Sequence, residues 1–112
     1  MTSHEKLVHD MNKSGLAAVE AKLKADQLTE DSKPFLSSLM NALDDGAMPE
    51  AKIKRLAEGS KEYRDYIRGM VLAKAEAARA LVRWESYCNL FEAWRTVQAT
   101  ERVRMGVLRD IP

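Results

Sequence analysis

From Lys61 to Arg104 the chain contains no proline and a single glycine, Gly69, and is written mainly in alanine, leucine, glutamate, arginine and lysine. Those residues favour helix, so the stretch predicts one continuous helix of about 44 residues. At about 1.5 Å per residue it would be roughly 66 Å long, whereas a compact chain of this size has a radius of gyration of about 13 Å. A rod of that length outruns the cover the remaining residues can supply. The expectation is an all-α protein: a long C-terminal helix, about 61–104, packed with shorter N-terminal helices in a helical bundle or coiled-coil-like arrangement. Its uncovered part would be satisfied in a homo-oligomer or by a protein partner.

The first 59 residues carry the punctuation that the long stretch lacks. Ser3 is placed to cap a first helix with Leu7, Val8 and Met11, then Leu16, Val19 and Leu23, at helical spacing, and Gly15 between the two sets is a point where that helix would kink or split. In "TEDSKPF", Ser32 is a candidate cap, with Pro34 in the first turn of a short helix carrying Phe35, Leu36, Leu39, Met40 and Leu43. "DDG", Asp44 to Gly46, ends it. Pro49 opens a third helix with Ile53 and Leu56, and Gly59 followed by Ser60 marks a stop and a new cap. At 112 residues, 46% of them apolar, the chain fits one helical domain. Within it, residues 1–59 form the part built of shorter helices and 60–112 the long helix and tail.

Charge divides along similar lines. Residues 1–50 hold 5 Lys/Arg against 9 Asp/Glu, a net −4, and residues 51–112 hold 13 against 8, a net +5. Two readings follow: the halves neutralise each other, or the basic half meets nucleic acid. One cysteine, Cys88, excludes an internal disulfide framework, and neither a secretory segment nor a long uncharged apolar run is present, which implies a cytoplasmic protein without a membrane span.

"RWESYCNLFEAW", Arg83 to Trp94, holds four of the seven aromatic residues. On a helical wheel Leu90, Trp94, Tyr87, Phe91, Trp84, Cys88 and Leu81 follow one another across about 180°. A two-stranded coiled coil needs a narrower seam, so this arc implies contact with at least two neighbouring helices. The arc continues toward the N-terminus through Leu81, Ala77, Met70, Ile67 and Tyr63; Leu81, Met70, Ile67 and Tyr63 together with the ring cluster make up the expected oligomer or partner interface. Beyond it the stripe turns basic. Arg95, Arg102 and Arg109 recur every seven residues, with Arg104 nearby, and the apolar cover of the stripe must end near Trp94, since a guanidinium is costly to bury. These arginines read either as contacts to nucleic-acid phosphates or an acidic partner, or as partners of acidic residues such as Asp31, Asp44 and Asp45. Acids placed three residues before an arginine, as in Glu92 and Arg95 or Glu101 and Arg104, read as one-turn pairs on a solvated face.

Signatures of catalysis are missing. His4 and His9 share no helix face, Cys88 has no neighbouring histidine in sequence, and no spacing suits a metal, a cofactor or a phosphate loop. The expectation is a non-enzymatic interaction or adaptor protein, with a direct nucleic-acid binder as the alternative. "ARALVRWESYCNLFEAWRTVQATERVRM", Ala78 to Met105, resembles the C-terminal helix of small all-α proteins carried by tailed phages and prophages. The resemblance rests on the spaced tryptophans and the "AWRTVQATERVRM" that follows; it implies a bacterial cytoplasmic setting and a role accessory to DNA processing.

Overall fold

The computed structural model of the chain describes residues 1–109, which form four helices and no strand: α1 (Ser3–Glu30), α2 (Ser32–Leu43), α3 (Glu50–Glu58) and α4 (Lys61–Arg109). The long helix therefore exists and runs 49 residues, through Gly69 and five residues past the expected end. At Gly69 an added Cβ would meet nothing within 4 Å, so this glycine serves no close packing, and one unfavourable residue is outweighed by its helix-forming neighbours.

Local chemistry sets each boundary. Thr2, and not Ser3, caps α1: its hydroxyl accepts the Glu5 amide at 3.1 Å, while the Glu5 carboxylate accepts the Thr2 amide at 3.3 Å. This reciprocal pair satisfies two of the amides that a helix start leaves open. The break between α1 and α2 follows from Pro34, which has no N–H to give to the carbonyl of Glu30 and whose ring crowds it. Ser32 does not cap α2; its hydroxyl donates back to the Thr29 carbonyl at 2.8 Å, and Asp31 stands at the cap position without a side-chain capping bond. After Leu43, Asp44 accepts the Gly46 amide and Asp45 accepts the amides of Ala47 and Met48, a turn that places Gly46 at φ +82°. That angle suits glycine. Pro49 precedes α3, and at its end Ser60 caps α4, accepting the Tyr63 amide at 3.2 Å and donating to the Ala57 carbonyl at 2.6 Å.

The helices group into two compact units. The first is Met1–Ala18 with the described chain from Arg79 to Arg109. It is an antiparallel pair of helices, since His4 stacks on Trp94 and Gly15 lies against Trp84. Ala18 and Ala80 are its buried residues among those described. The second unit, Val19–Ala78, holds the rest of α1, the start of α4, and α2 packed on α3, around buried Ala25, Ile53, Ala57 and Ala73. In this unit the Tyr66 hydroxyl donates to the Leu28 carbonyl of α1, and its ring stacks on Phe35 of α2 at 4.4 Å. Small residues occupy the buried positions, and many of the larger apolar side chains stand half out of the core. No large side chain is fully buried among the described residues.

Candidate functional site

The ring cluster lies in the first unit, where α1 runs along the middle of the arc. Phe91, Trp94, Tyr87 and Cys88 are half-buried there. His4 stacks on Trp94 with ring centres 3.9 Å apart and planes 14° from parallel, and Phe91 lies 6.1 Å from Trp94 and 6.3 Å from His4. The His4 Nδ1 is buried and without a hydrogen-bond partner among the described residues, so the ring acts here as a stacked plane. Eleven residues further along α1, Gly15 admits the Trp84 indole: an added Cβ would stand 3.0 Å from its Nε1 and 3.2 Å from its Cδ1. One neighbour of the arc is thus the chain's own α1.

The flanks of the arc are not covered by α1. Leu81 on one side and Leu90 on the other are 45% and 55% exposed, and Trp84 is 38% exposed. Tyr63, Ile67 and Met70, the other members of the expected interface, lie in the second unit and are half-buried. Tyr66, which sequence reasoning passed over, is the residue that ties elements together there. Its phenol pKa is raised above the ordinary value, first by burial and then by the Asp31 carboxylate.

The basic stripe is also in the first unit, past the point where α1 begins. His4, near the start of α1, is set on Trp94, and beyond it Val97, Val103, Met105, Val107 and Leu108 of α4 are half or more exposed. Arg95 pairs with Glu92 at 3.3 Å and Arg104 with Glu101 at 3.9 Å, both on the open surface. Such pairs are worth about 0–1 kcal/mol and leave most of each guanidinium fork free. Arg95 and Arg102 border an open groove of about 600 Å³ whose other walls include His4, Phe91, Trp94, Gln98 and one acid, Glu92, which is paired with Arg95. In the second unit, Asp44 and Asp45 are engaged by the turn amides and Asp31 by the Gln27 side-chain amide at 3.0 Å.

His4 and Gly15 are the site residues that the sequence did not single out. The signal for Gly15 was its place in the middle of a helix; for His4 there was none, since its partner is ninety residues away.

Among the described residues no group of three His, Cys, Asp or Glu side chains could hold a metal ion, and no helix is long and apolar enough to cross a membrane. No protein-family model, no curated protein and no solved structure matches the chain.

Proposed function

We propose that this protein is a non-enzymatic adaptor that self-associates through the flanks of its aromatic arc, with an accessory role in DNA processing. The observation that carries this reading is that α1 covers only the middle of the arc and leaves Leu81 on one side and Leu90 on the other open, with Trp84 still 38% exposed beside Gly15. Two helices with large apolar residues on both flanks of their seam are half of a bundle, and a second copy in antiparallel register supplies the other half with a self-complementary surface. The resemblance of Ala78–Met105 to helical phage proteins supports the accessory role.

Sedimentation equilibrium from low to high micromolar concentration tests it. The expected mass is that of a dimer or larger species that dissociates on dilution, and the double replacement Leu81→Glu with Leu90→Glu leaves a helical monomer. A concentration-independent monomer mass in the unaltered protein overturns the reading.

A second reading, direct contact with nucleic acid, is favoured by the helical tail itself. Residues 95–109 carry Arg95, Arg102, Arg104 and Arg109 against one acid, Glu101, with Glu92 and Asp110 flanking the stretch in sequence, on a helix whose apolar residues there are half or more exposed. Such a surface binds phosphates with a strong salt dependence and little sequence preference.

A further inference from the structure

The groove at the start of α1 brings together two chemistries that lie far apart in the sequence. One is the ring stack of His4, Trp94 and Phe91, built from both ends of the chain. The other is a pair of guanidinium groups, Arg95 and Arg102, seven residues apart on α4 and so separated by about 10 Å along the helix axis. Glu92 bonds one nitrogen of Arg95 at 3.3 Å, which orients that side chain and leaves its other donors for a ligand. At about 600 Å³ the groove is within the roughly 300–1,000 Å³ typical of ligand sites, and it is open along one side, as a site for a continuous strand must be.

We propose that this groove is a subsite for single-stranded nucleic acid, in which Arg95 and Arg102 take two phosphates and an unpaired base extends the His4–Trp94 stack. The inference rests on the nucleic-acid reading above and makes it specific. A duplex has its bases paired inside and offers nothing to a ring stack, whereas an acidic protein patch would use the guanidinium groups and leave the rings without a role. Aromatic rings beside a cationic track are the arrangement that takes unpaired strands without reading their sequence.

The test is fluorescence anisotropy with a labelled oligothymidylate strand and a labelled duplex, at low and at physiological salt, with polyglutamate as competitor. The expected result is preference for the single strand by at least tenfold. Arg95→Gln with Arg102→Gln, both on the open surface of a helix, is expected to weaken binding at least tenfold with helix content unchanged. It should also reduce the log–log salt slope by about 1.4, the share of two phosphates on a single strand. In a Trp84→Phe background, where Trp94 is the one remaining indole, the strand quenches tryptophan emission. If the double replacement binds as well as the unaltered protein, the subsite is overturned while nucleic-acid binding by the rest of the tail stands. Equal affinity for duplex, unquenched Trp94 emission, or displacement of the strand by polyglutamate at comparable charge concentration also overturns it. Absence of binding to either nucleic acid at low salt overturns the subsite and the broader reading together.

Discussion

At Gly15 a hydrogen in place of a methyl group decides where Trp84 lies. Glycine inside a helix costs about 1 kcal/mol relative to alanine, and here it lets an indole rest against the backbone of α1 with 3.0 Å between its nitrogen and the place a Cβ would occupy. The two residues are therefore coupled. Trp84→Ala alone is expected to cost about 2 kcal/mol, below the 3–5 of a fully buried ring because a third of the indole already meets solvent. With the indole gone, Gly15→Ala gains its full propensity of about 1 kcal/mol; with the indole present it gains less, because the ring must move by a few tenths of an ångström. Urea unfolding of the four proteins checks this, and additive effects would show that the contact has no energetic weight. The sequence exposes Gly15 as an anomaly but misleads about its consequence. A helix interrupter and a close-approach position look identical until the facing residue is known, and Trp84 is sixty-nine positions away. His4 was illegible for the same reason, although the rings it stacks on were legible from their spacing alone.

Among the elements, α4 was the most readable, because an unbroken run of strong helix formers fixes a helix without reference to anything else. Its cap at Ser60, the stop at Gly59 and the opening of α3 at Pro49 are equally local, and the structure has them where the residue types put them. The starts of α1 and α2 are displaced by one residue, since two adjacent hydroxyl residues, Thr2 and Ser3, compete for one cap and Asp31 precedes Ser32. Only the pairing of Thr2 with Glu5 decides the first. Tyr66 was not legible: it joins α4 to Leu28 and Phe35 through contacts that depend on how three helices meet. Its raised phenol pKa has a consequence for pH. A group whose pKa is raised by folding contributes stability that is complete below its unfolded value, about 10 for tyrosine, and lost as pH rises through the higher folded value. The second unit is therefore expected to weaken above pH about 10 as the Tyr66 bond to Leu28 is lost. Tyr66→Phe should lower the melting temperature by a few degrees at neutral pH and flatten this alkaline limb, followed by circular dichroism against pH. A variant that keeps the full alkaline loss would assign it to another group.

On the scale of the whole molecule, the buried positions among the described residues are alanines and one isoleucine, Ile53, while leucines, valines and a tryptophan stay in contact with water. The all-α architecture was legible, and so was the need for the apolar cover of the arc to end near Trp94, which follows from the cost of burying guanidinium groups. That α1 is the cover was not, because any amphipathic helix would meet the same requirement. The alanine seam bears on calorimetry. A chain of 112 residues ordinarily gains about 1.3–1.7 kcal/mol/K of heat capacity on unfolding, nearly all from apolar surface newly wetted. Here much of that surface is wet beforehand. Scanning calorimetry of the dilute monomer is expected to give an increment below that range, rising toward it at concentrations where copies associate; an ordinary increment in dilute solution would mean that the large side chains are buried after all. A small increment makes the stability curve of the lone chain a shallow dome. It would lose little on cooling, and the assembled form, with more apolar surface out of water, would carry the sharper dependence on temperature.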